Sequence, residues 1–161
     1  MMGRISNWQL IKRETQPSLT VRSTVLLKDL QNEMDEARNK VFAYLKLIDE
    51  YPAGAFYAVY YSFSKKEVDL EAGFPVYRKM DGEEEIQPAE KSAGLFLSCY
   101  HQGPYRKIPS VYKEMDQWLE EHSFETSGIS EENYLNENVD ENFFLTQILI
   151  PVQEKNKDVK V

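Results

Sequence analysis

Cysteine and histidine are nearly missing from this 161-residue sequence, which has one Cys, Cys99, and two His, His101 and His122. A lone cysteine closes no internal disulfide, and a reducing cytoplasm is the compartment it suits. Two histidines, with carboxylates at no ligand spacing, make no credible zinc set. The glycines of "AGAF" and "SAGL" lack the spacing of a phosphate loop, so no cofactor is implied. Basic residues are also short: 19 Lys and Arg face 27 Asp and Glu, for a net charge of −8. Such a surface repels a phosphate backbone, and direct nucleic-acid binding is not expected. A cationic ligand or a basic protein partner suits the charge better, although acidity alone also serves solubility. No apolar run approaches the roughly 20 residues a membrane span needs. The first residues, "MMGRISNWQLIKRE", have no apolar centre, so neither a membrane segment nor a secretion signal is expected.

Aromatic side chains are plentiful instead. The chain is 42% hydrophobic and 12% aromatic, with 10 Tyr, 8 Phe and 2 Trp. That composition argues against disorder and for one domain with a packed core.

Read along the chain, one pattern occurs twice. "LTVRST" alternates as a strand does. Asp29 is a plausible helix N-cap. Leu30, Met34, Ala37, Val41, Tyr44, Leu45 and Ile48 then recur at steps of three and four, one face of a helix of about five turns. "YPAG" stops it. "AFYAVYYSF" and "EVDLEAGFPV" follow as two strands. The second pass has "GLFLSCYH" as a strand and Pro109 at the first position of a helix. Val111, Met115, Trp118, Leu119 and His122 share a face of that helix, which ends at "SFETSG". "ENYLNEN" and "FFLTQILIPV" complete the set. Pro75 and Pro151 correspond at an offset of 76, as do Phe42 and Trp118, so an internal duplication is expected.

The predicted architecture is therefore α+β. Two strand-helix-strand-strand units, related by a pseudo-twofold axis, join their sheets edge to edge into one curved antiparallel sheet. Helices cover one side and a central cleft opens on the other. The domain is expected over residues 7–153, with repeat one at about 7–77 and repeat two at about 84–153. Residues 78–92, "RKMDGEEEIQPAEKS", read as a solvated linker, and 154–161 as a flexible charged tail.

These segments resemble a known family. "AFYAVYYSFSKKEVDLEAGFPV", "YHQGPYRKIPSVYKEMDQWLEE" and "ENYLNEN…LTQILIPV" are similar, in order, to landmarks of the GyrI-like small-molecule-binding domain. That family shares its fold with effector-binding domains of AraC- and MerR-type regulators such as BmrR. The most specific elements are "HxGPY" (His101, Gly103, Pro104, Tyr105) and "ExYLN" (Glu132, Tyr134, Leu135, Asn136). The resemblance implies a cleft for bulky, often cationic, hydrophobic compounds, with a glutamate as charged anchor. The family glutamate falls on Glu132. The chain shows no DNA-binding domain and so resembles the stand-alone members. Arg106 after "GPY" and Asn136-Glu137 depart from the family pattern.

Candidate ligand-binding residues are Glu132, Tyr134, Tyr100, Tyr60 and Trp118. A carboxylate removed from water resists ionisation until a cation joins it. Aromatic faces add cation–π attraction of roughly 0.5–2 kcal/mol each. Tyr60 and Tyr100 lie on strands of opposite halves. Tyr134 shares a face with Glu132 if residues 132–136 are extended. Trp118 is equally suited to the core beneath the sheet, and Tyr57 and Tyr61 alternate away from Tyr60. Cys99 and His101 share a strand face, but at about 6–7 Å they are too far apart for a nucleophile–base dyad.

Three functions fit these residues. The first is a cytoplasmic binding protein for lipophilic cations, acting in sequestration or sensing. The second is a hydrolase of reactive electrophilic toxins, with Glu132 as general base and Tyr100 or Tyr134 as hydrogen-bond donor. The third is a protein-interaction role like that of the gyrase-inhibiting member of the family.

Overall fold

The computed structural model describes residues 3–155. In chain order the strands are β1 (Gly3–Arg4), β2 (Gln9–Arg13), β3 (Gln16–Leu26), β4 (Phe56–Phe63), β5 (Glu67–Pro75), β6 (Gln87–Lys91), β7 (Gly94–Gln102), β8 (Phe124–Thr126), β9 (Ser130–Tyr134) and β10 (Leu145–Glu154). Helix α1 (Leu30–Leu47) lies between β3 and β4, and α2 (Pro109–His122) between β7 and β8. Among the described residues no helix is long and apolar enough to cross a membrane.

All ten strands form one sheet, in the order β1-β7-β10-β9-β4-β5-β3-β6, with β2 also on β7 and β8 on β10. Every pairing is antiparallel. The duplication is visible in this order. One half reads β7-β10-β9, its mirror reads β4-β5-β3, and the halves meet where β9 pairs with β4. The two helices lie on one side of the sheet, as the α+β duplication requires.

Helix spacing carries the core. Met34, Ala37, Val41 and Leu45 of α1 are buried over the first half of the sheet, beside Leu19, Leu70 and Ala72. Val111, Met115 and Leu119 of α2 are buried over the second half, beside Leu97, Cys99 and Ile148. Ala37, Val41 and Leu45 therefore recur 74 residues later as Val111, Met115 and Leu119. Pro75 and Pro151 do occupy matching places at 76, but in the helices the offset is 74. Trp118 is thus the counterpart of Tyr44 rather than of Phe42, which is half exposed.

The opposite face of the sheet is closed by polar side chains. Arg13, on β2 beyond one edge, donates to both carboxylate oxygens of Glu131 on central β9, at 2.9 and 2.7 Å. Lys91, on edge strand β6, donates to Asn133 Oδ1 at 2.6 Å and lies 3.3 Å from Glu131. Both margins of the sheet reach the same central strand, so the sheet curls over this face and fills its hollow.

This relocates the cleft, which was expected on the side away from the helices. It opens on the helix side, between α1 and α2. The reason is width: two helices of about 10 Å each cannot cover an eight-strand path spaced about 4.8 Å apart. Other elements also differ from expectation. The stretch read as a solvated linker contains β6, with Ile86 buried just before it. "SFETSG" holds the short strand β8, placed after Ser123 turns left-handed at the helix end. Asp29 precedes α1 without a side-chain cap, because a 3-10 turn at Leu27–Asp29 leads into the helix. Strand β10 runs through Glu154, and the remainder of the expected tail, 156–161, lies outside the described residues.

Candidate functional site

Strands β4 and β9 form the floor of the cleft. Ala58 stands opposite Glu132 in register, and the same two positions are 74 residues apart, the helix offset. The pseudo-twofold axis therefore passes beside Glu132. Tyr60 and Tyr134 are related by the same offset. Their hydroxyls meet across the axis at 2.8 Å.

Glu132 is 7% exposed and lines a cleft of about 450 Å³. Tyr134 donates to its Oε1 at 2.8 Å, and Tyr112, from α2, donates to its Oε2 at 2.6 Å. A phenol has one proton to give, so Tyr60 is the donor to Tyr134. The result is a chain from Tyr60 to Tyr134 to the carboxylate, closed from above by Tyr112. Phe56 stacks near Tyr134 at 6.0 Å between ring centres, and Tyr105 meets Tyr134 edge-on at 5.3 Å. Leu30 and Met34 of α1 line the opening together with Ile108, just before α2, and Met115 of α2.

Burial raises the Glu132 carboxyl above its ordinary value, although the two tyrosine hydrogen bonds oppose the shift. Burial likewise pushes the hydroxyls of Tyr60, Tyr112 and Tyr134 far up, reinforced by the neighbouring Glu132 charge. They stay protonated donors at any physiological pH. Glu131, one residue away, points to the opposite face. Burial alone would raise its carboxyl too, but the Arg13 hydrogen bond and the Lys91 and Arg13 charges hold it below the ordinary value.

Of the residues singled out by sequence, the fold brings Glu132, Tyr134 and Tyr60 together. It does not bring Tyr100, which alternates with Cys99 and His101 and lies on the other face of β7, opposite Gln147. Nor does it bring Trp118, whose ring stacks on His122 at 4.1 Å and packs against Phe124 at the edge of the second core. Tyr112 was missed, as were Tyr105, Phe56 and Arg38. The signal for Tyr112 was helical spacing: Tyr112 follows Ile108 by four residues and precedes Met115 and Asp116 by three and four, which sets it on the flank of the buried face of α2. Cys99 is buried with its thiol pushed up to about 12, first by desolvation, so it is no nucleophile at neutral pH.

A duplicated sheet with an aromatic cleft and one buried carboxylate at its axis defines a small-molecule-binding domain. The sequence matches the GyrI-like small molecule binding domain over residues 11–153, and the chain belongs to that family. No curated protein matches the sequence. Among solved structures the fold is similar to EcmrR. In its DNA complex the TM-score is 0.82 at 18% identity, over 92% of this chain and 57% of that one. The EcmrR C-terminal domain alone gives 0.77 at 16%, over 96% and 99%. This chain thus spans little more than half of the longer EcmrR chain. A hydrolase from Listeria innocua gives 0.68 at 12%, over 91% of both chains. SAV2435 bound to tetraphenylphosphonium gives 0.65 at 9%, over 92% and 94%. At these identities the likeness is one of fold.

Proposed function

We propose that this domain binds bulky lipophilic small molecules carrying positive charge, in the cytoplasm, for sequestration or sensing. Glu132 carries the reading. It is a buried carboxylate whose hydrogen bonds come from neutral phenols, with no lysine or arginine bonded to it among the described residues. Nothing of opposite charge offsets its desolvation, so a cation entering the cleft gains the full interaction in a low-dielectric setting. Phe56, Tyr60 and Tyr105 supply aromatic faces for the same charge. Tyr112 and Tyr134 hold the carboxylate in place. SAV2435, of the same fold, is bound to a lipophilic phosphonium cation, which supports this ligand class.

The test is calorimetric titration of tetraphenylphosphonium into wild type and Glu132→Gln. The variant is expected to bind at least about tenfold more weakly, the scale of one charge-assisted contact. Equal affinities would remove the glutamate from the account.

One observation favours a second reading. A carboxylate with a raised proton affinity, bonded to two phenols, can also accept a proton from water. The water oxygen would bond to an electrophilic carbon and its proton would pass to Glu132. Tyr112 or Tyr134 would hydrogen-bond the departing heteroatom, which takes up the proton that Glu132 received. Tyr100 has no part in this, since it faces away from the cleft. The Listeria innocua protein of similar fold is called a hydrolase. Product in excess of one equivalent from a reactive alkylating substrate distinguishes turnover from binding.

A further inference from the structure

The offset of 74 that relates the two helices places Arg38 of α1 as the counterpart of Tyr112 of α2. It also places Ala58 as the counterpart of Glu132. On one side of the axis the pair is a donor and its carboxylate. On the other it is a donor with no acceptor, because Ala58 offers none. Arg38 lies instead with its guanidinium 4.6 Å above the Phe56 ring. Its Nε is shielded from solvent and has no hydrogen-bond partner among the described residues. Its charge is paired with Glu137, whose Oε2 lies 3.5 Å from Nε on a side chain more than half exposed. The Nε–H therefore sits in an ion pair without a hydrogen bond, and an acceptor brought within bonding distance has only an exposed partner to displace.

Arg38 also stands at a boundary. It lines the aromatic cleft and, with Gln31 and Tyr105, a second cavity of about 390 Å³. That second cavity is polar, rimmed by Asp35, Arg106, Glu137 and Glu141. A ligand group reaching Arg38 from the cleft therefore sits next to water rather than deep in the protein. An anionic oxygen can be accepted there without complete desolvation.

We propose that Arg38 is a specificity-determining residue that selects ligands bearing an acceptor oxygen, best a carboxylate, on the same apolar body that presents its cation to Glu132. The preferred ligand is then a lipophilic zwitterion rather than a bare cation. This rests on the cleft being the binding site, and it makes the site two-poled: Glu132 reads the positive end and Arg38 the negative end. Arg rather than Lys suits the task, since its planar head can lie on Phe56 and still direct Nε–H at an acceptor.

The experiment compares rhodamine B, which carries a carboxylate, with its ethyl ester, which does not. Both carry the same fluorescent cationic ring system in nearly the same shape, and only rhodamine B is a zwitterion. Binding is measured by fluorescence anisotropy for wild type, Arg38→Gln and Glu132→Gln. Arg38→Gln is expected to weaken rhodamine B about tenfold, and the ester less than threefold. Glu132→Gln is expected to weaken both dyes. Equal effects of Arg38→Gln on the two dyes would show that Arg38 merely packs on Phe56, and would overturn the inference while leaving the glutamate intact. Indifference of both dyes to Glu132→Gln, with the Arg38 effect preserved, would sink the cation reading alone. Failure of both dyes to bind wild type would count against both readings.

Discussion

Glu131 and Glu132 are neighbours in the chain with opposite surroundings. Strand alternation sends them to opposite faces of the sheet. Glu131 meets Arg13 and Lys91, and Glu132 meets phenols. Since burial raises the Glu132 carboxyl in the folded protein, the stability tied to its protonated form is complete below the unfolded value. It is lost as pH rises through the folded value. At pH 7 the wild type therefore carries a cost that Glu132→Gln does not. The variant is expected to be more stable at pH 7 by about 1 kcal/mol, with the difference closing near pH 4, as read by urea unfolding. Binding should move the other way. Tetraphenylphosphonium has no titratable group, so any loss of its affinity on acidification through the raised Glu132 range reports protonation of the anchor. A more stable but weaker-binding variant would be the signature of a site kept at the expense of the fold.

At the scale of elements, the helices were legible because a 3.6-residue period needs no partner to be seen. Met34, Ala37, Val41 and Leu45 are buried as their spacing demands. Strand β6 was not legible. Its "QPAEK" lacks alternating apolar residues and holds Pro88, which an edge position tolerates. Its hydrogen bonds come from β3, so what makes it a strand lies about 70 residues earlier in the chain. Between β3 and β5 the backbones approach closely at Gly73, where an added Cβ would meet the Leu19 carbonyl oxygen at 2.0 Å. That contact is backbone and cannot swing aside. Gly73→Ala is expected to destabilise the protein by about 3 kcal/mol, measured as a lower urea midpoint with an unchanged slope.

At the scale of the whole molecule, the curl of the sheet is held by one ion network. Arg13 and Lys91 reach Glu131 from opposite margins. Burial lowers the Lys91 ammonium despite the nearby carboxylate, which makes Arg13 the stronger partner. Arg13→Met leaves Glu131 buried beside Lys91 alone and is expected to cost about 3 kcal/mol. Because the Glu131 carboxyl is held below its ordinary value, the stability it adds is present above the unfolded value. It disappears as pH falls through the folded value. The gap between wild type and Arg13→Met should therefore narrow from pH 7 to pH 3 in thermal melts. By itself the sequence determined the helix faces, the two repeats and the acidic pair, because periodicity and turn residues are local properties. Tertiary structure alone decided which sheet face holds the cleft and which tyrosines enter it. Alternation says which residues share a face, but coverage of that face depends on helix width, sheet curl and side chains such as Arg13 and Tyr112, which arrive from far along the chain.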